Sequence, residues 1–150
     1  MSTNENDILS GLNKIFTFLG PYGGKITIDS DWDFYCKVYN FNGFIETAIF
    51  SRDGRNNGNY VDPFFQIELY FDEGGKTITR ANPVEYLSQW PGGELHMDLN
   101  DNSCVYEGDC ESMEEDIKER LVSYLGTITG VRPYLTSPVS VERYQVYATF

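Results

Sequence analysis

DFYCKVYNFNGFIETAIF, Asp33 to Phe50, is the stretch from which the fold is read. In Asp33–Tyr39, Phe34, Cys36 and Val38 fall on one side of an extended chain and Tyr35, Lys37 and Tyr39 on the other. That period of two is the signature of a half-buried strand. Asn40–Gly43 carries turn residues, and Phe44–Phe50 reads as the returning strand of a hairpin.

The same pattern continues outward. Lys25–Asp29 is a short strand with Ile26 and Ile28 on one face, and Ser51–Pro63 is a long polar loop. In Phe64–Phe71, Phe65, Ile67, Leu69 and Phe71 oppose Gln66, Glu68 and Asp72. Glu73-Gly74-Gly75 turns the chain into Lys76–Arg80, and Asn82-Pro83 ends that strand. Val84–Trp90 reads as a short helical turn. Glu94–Leu99 then alternates again, with Leu95, Met97 and Leu99 inward. The run Tyr144, Val146, Ala148 and Phe150 is expected to return as an edge strand.

Two helices flank these strands. Residues 1–5 read as a frayed tail. Ile8, Leu9, Leu12, Ile15, Phe16 and Leu19 form one apolar stripe, with Asn6 or Asp7 as its cap and Gly20-Pro21 as its stop. Ser112 and Glu115 fit a capping box that opens a second helix, whose stripe is Ile117, Leu121, Tyr124, Leu125 and Ile128. Glu114, Glu115 and Asp116 sit at the positive end of its dipole. No helix separates the strands, as a parallel sheet would need. The fold class is therefore α+β, one domain over 1–150. An antiparallel sheet of about five or six strands is expected to pack against helices near 6–19 and 113–129.

Composition narrows the function classes. The chain has 150 residues, 23 acids against 11 bases, and a net charge of −12. That balance repels nucleic acid and anionic membrane and attracts cations or basic proteins. The start, MSTNENDILS, lacks the basic region and apolar run of an export signal. With three cysteines, Cys36, Cys104 and Cys110, it points to a reducing cytoplasm and free thiols.

Few motifs carry chemistry. In DLNDNSCVYEGD, Asp98, Asn100, Asn102 and Asp109 take positions 1, 3, 5 and 12 of a calcium loop, with calcium as the implied cofactor. Ser103 replaces the turn glycine, Asp109 replaces the usual glutamate, and a strand-like segment stands where the incoming helix belongs. The alternative is an acidic loop turned by Asn and Asp. A zinc set of Cys36, Cys104, Cys110 and the sole histidine, His96, lacks any CxxC pair. His96, flanked by Leu95 and Met97, is expected on the solvent side of its strand. No nucleophile elbow or phosphate loop is present.

Charge is the sharper signal. Glu94, Asp98, Asp101, Glu107, Asp109, Glu111, Glu114, Glu115, Asp116 and Glu119 face one basic residue, Lys118, within that segment. In charge and length alone, the chain resembles phage- or plasmid-encoded DNA mimics that block restriction or CRISPR nucleases. The expected function is an acidic, non-enzymatic interaction module whose 94–119 surface binds a basic, nucleic-acid-binding protein. Tyr35, Tyr39 and Tyr106 would add contact area. The competing readings are a calcium-dependent binding domain at Asp98–Asp109 and a small enzyme whose pocket the sequence does not announce.

Overall fold

Asn42 and Gly43, with φ of 55° and 77°, close the Asp33–Phe50 hairpin as a two-residue turn. Positive φ at both turn positions matches the right-handed twist of the strands they join. The computed structural model describes residues 3–27, 32–53, 60–90, 93–105, 112–130 and 140–149. Along the chain run α1 (Thr3–Leu19), β1 (Gly23–Thr27), β2 (Trp32–Phe41), β3 (Phe44–Asp53), β4 (Tyr60–Phe71) and β5 (Ile78–Trp90). They are followed by β6 (Gly93–Asp98), β7 (Ser103–Val105), α2 (Met113–Gly130) and β8 (Ser140–Arg143). The strands form one antiparallel sheet in the order β7-β6-β5-β4-β3-β2-β1-β8. The first seven strands make a meander. β8 comes back past α2 to close the edge at β1.

The α+β class stands, and the expectation of five or six strands is corrected to eight among the described residues. β7 is three residues long, too short to show alternation. The C-terminal edge strand is β8, and 144–149, where the edge strand was expected, is not a strand. Val84–Trp90, read as a helical turn, is the second half of β5, which passes through Pro83. The register against β4 shifts there, from Gln66↔Glu85 to Ile67↔Pro83, and pairing with β6 begins only at Glu85. A bulge at a place with no second neighbour is where a strand tolerates a residue lacking an N–H. α1 starts at Thr3, so Asn6 and Asp7 lie inside it rather than capping it, and the expected tail shortens.

The core lies between the helices and one face of the sheet. Ile8, Leu12, Ile15 and Leu19 of α1 and Ile117, Leu121 and Leu125 of α2 are buried against Phe34, Cys36, Val38, Ile49, Phe65, Ile67, Tyr86, Leu95 and Met97. Burying each such Leu, Ile or Phe stabilises the fold by about 2 kcal/mol before entropy is counted. Asn13 ties α1 to the start of β5. Its Nδ2 donates to Ile78 O (3.1 Å), and its Oδ1 accepts from Ile78 N (2.9 Å), as a neighbouring strand would. No helix among the described residues is long and apolar enough to cross a membrane.

Candidate functional site

Alternation places a second set of side chains opposite the helices. Because Thr47 and Ile49 face the core, Glu46, Ala48 and Phe50 face away, and the register carries the rule across the sheet. Tyr35, Phe50, Phe64, Leu87 and His96 form one row, and Lys37, Ala48, Gln66, Glu85 and Asp98 the next. Glu46 and Glu68 are direct partners in a third row. Both helices pack on the other side of the sheet.

One end of this second face is aromatic. Tyr35 stacks on Phe50 with ring centroids 4.9 Å apart, Phe64 lies 6.0 Å from Phe50, and Lys37 Nζ sits 5.6 Å above the Phe50 ring. Tyr35 and Tyr39 are half-buried here, and burial pushes both phenols up. Tyr106 lies outside the described residues.

The rest of the face is a carboxylate band. Glu46, Glu68, Glu85 and Asp98 come from four consecutive strands, β3 to β6, and all are half-buried. Burial raises the pKa of Glu46. The neighbouring Gln66 amide works against that, and the charges of Glu68 and Glu85 add to it. Among the described residues, no Lys or Arg lies within ion-pair distance of Glu46, Glu68, Glu85 or Asp98. The carboxylates therefore repel one another in a partly desolvated setting.

At the β5–β6 end, His96 Nε2 lies 2.6 Å from Glu85 Oε2. Glu85, His96 and Asp98 each bring one donor atom into a group no wider than 4.8 Å. His96 is half-buried on the face opposite Leu95 and Met97, as its strand position implied.

The acidic run is divided by the sheet. Glu94 and Asp98 are on the second face, and Asp101 is in the turn that follows β6. Glu114, Glu115 and Glu119 are exposed on α2, on the helix side. Lys118 Nζ reaches Glu114 (3.2 Å), Glu5 (3.7 Å) and Glu115 (3.9 Å), and Arg120 Nε reaches Asp116 (3.4 Å). Pairs whose carboxylates are this exposed add little stability, yet they compensate the helix charge locally. Glu107, Asp109 and Glu111 lie outside the described residues.

The proposed calcium stretch begins as a hairpin turn. Asp98 pairs with Ser103, and Asp98 Oδ1 accepts from Asn100 N (2.9 Å) and Asp101 N (3.3 Å). Asn100 and Asn102 lie in that turn, Asn102 with φ of 52°. The zinc set of cysteines and His96 does not assemble. Cys36 is buried on the helix side, and Cys104, expected to be a free thiol, is disulfide-bonded. Cys110 lies outside the described residues.

Sequence reading missed Glu46, Glu68 and Glu85 as members of the band, although it set Glu68 on the outer side of its strand. Glu46 stands out once the returning strand of the hairpin is set in alternation. Glu85 does not, because Val84–Trp90 carries a proline on its flank. Comparison with protein-family models, with curated proteins and with solved structures returns no match for this chain.

Proposed function

We propose that this protein is a non-enzymatic interaction module that receives a basic partner on the sheet face opposite the helices. One observation carries the reading. Glu46, Glu68, Glu85 and Asp98 sit half-buried side by side, with no Lys or Arg paired to them among the described residues. A partner's Lys or Arg side chains would relieve their repulsion, and the band would steer the encounter. Tyr35, Phe50 and Phe64 give the stems of those cations an apolar floor. Glu94 is the member of the 94–119 run that extends the band. In its finer form the proposal names a nuclease or another nucleic-acid-binding protein, whose basic groove suits carboxylates spaced along a strand face. Duplex DNA should then compete with the module for that partner.

Amide-shift mapping with an arginine-rich, tryptophan-containing peptide tests the reading. Shifts should gather on β3 to β6 and fade with added salt. The double variant Glu46→Gln, Glu68→Gln should weaken binding roughly tenfold, about 1.4 kcal/mol. Shifts centred on Glu114, Glu115 and Glu119, or binding untouched by the double variant, would refute it.

A further inference from the structure

We propose that Glu85, His96 and Asp98 form a binding site for one divalent transition-metal ion of the zinc class. All three project from the same face of adjacent strands, Glu85 directly opposite Asp98 in the β5–β6 register. Their donor atoms lie within 4.8 Å of one another. A tetrahedral ion bound at about 2.1 Å needs donors roughly 3.4 Å apart, a spacing within reach of small side-chain rotations. One imidazole with two carboxylates is a borderline donor set. It favours zinc-like ions over calcium, which takes six to eight oxygens. Three protein ligands leave a further coordination position for water.

The surroundings support the assignment. Asp98 Oδ1 is fixed by the backbone N–H groups of Asn100 and Asp101, which orients the carboxylate and leaves its second oxygen available. Gln66, the register partner of Glu85, is nine-tenths buried, and its Nε2 lies near Glu46 without a well-formed hydrogen bond. The His96–Glu85 hydrogen bond holds the imidazole in place, and the ion would replace the proton between Nε2 and Oε2. Nδ1 then carries the ring proton, and any excess proton leaves to solvent.

The site shares Asp98 with the calcium loop read at Asp98–Asp109 but takes its other two ligands, Glu85 and His96, from the β5–β6 strand pair. It does not depend on the basic-partner reading, because its test contains no partner. Zinc is titrated calorimetrically into the tag-free 150-residue chain. One site per chain is expected. Glu85→Gln and Asp98→Asn should each weaken it roughly tenfold or more, and His96→Ala should abolish the heat. Calcium and magnesium should give none, and Glu73→Gln, in the exposed β4–β5 turn, should bind zinc as wild type does. Absence of zinc heat, equal binding by His96→Ala, or an equal response to calcium overturns the proposal. Should His96→Ala fail to fold, the imidazole 15N spectrum of the wild-type chain decides. The Nε2 resonance must move when zinc or cadmium is added, and an unmoved resonance refutes the site.

Discussion

Tyr124 of α2 and Ser51 of β3 share a hydrogen bond of 2.6 Å between their hydroxyls, across the helix–sheet interface. The Tyr124 ring lies 5.6 Å from Phe65 and 6.1 Å from Phe34, so the hydroxyl is carried into the core by its own packing. Tyr124→Phe keeps that packing and strips Ser51 of its partner. The expected loss is about 1–2 kcal/mol, a fall in Tm of roughly 3–6 °C. A double cycle with Ser51→Ala should recover part of it, because both hydroxyls are then gone. Unchanged melting of Tyr124→Phe would show that the bond contributes nothing.

Gly23 supplies a backbone test of the β1–β2 pairing. It has φ of 81°, and an added Cβ would fall 1.9 Å from the Cys36 carbonyl oxygen, a fixed ladder atom. Gly43 has a similar φ of 77°, but a Cβ there would meet nothing within 4 Å. Gly43→Ala should therefore cost only the left-handed penalty, about 1–2 kcal/mol. Gly23→Ala adds the collision and should cost about 3 kcal/mol or more. Urea unfolding of the two variants separates the terms, and equal losses would remove the close approach as a cause.

Much of this architecture was legible because alternation is a strong local signal. Phe34, Cys36 and Val38, and again Phe65, Ile67 and Leu69, are buried where the period of two placed them. What could not be read depends on distant partners. Pro83 looks like a strand end until a bulge and the late start of the β6 pairing accommodate it. The acidic run looks continuous along the chain, but Asp98 and Glu115 end on opposite sides of a sheet. Glu46 and Glu85 are 39 positions apart in sequence and become neighbours only through β4.

Cys36 predicts alkaline behaviour. Burial pushes its thiol up to about 11, with the Thr47 hydroxyl slightly opposing the shift. A folded pKa above the unfolded value of 9.0 gives stability that is complete below pH 9 and is lost as pH rises towards 11. Tyr124, raised by burial, and Tyr144, pushed up to about 12 by burial and then by the Glu142 charge, act in the same direction at higher pH. Melting temperature should fall through this range. Alkylation of Cys36 by iodoacetamide at pH 8 should follow the rate of unfolding. Rapid labelling of the native chain would contradict its burial.

Glu46 and Asp72 predict opposite responses to acid. The Glu46 pKa is raised, first by burial and then by Glu68 and Glu85, so the folded state holds its proton more tightly than the unfolded chain does. Stability is therefore lost as pH rises from the unfolded Glu pKa through the raised folded value. Glu46→Gln removes that loss and should melt higher than wild type at pH 7, with the advantage shrinking on acidification. Asp72 is lowered by the backbone N–H groups of Lys76 and Thr77, which its Oδ1 accepts in the β4–β5 turn. Its contribution is present above the unfolded Asp pKa and is lost as pH falls through the lowered one. Asp72→Asn should melt lower than wild type at pH 7, and that deficit should close on acidification. Melting curves of both variants from pH 7 to pH 3 check the signs together. A Glu46→Gln variant that melts below wild type at pH 7 would mean that the carboxylate is already compensated within the chain. The band would then lose the repulsion that a basic partner is proposed to relieve.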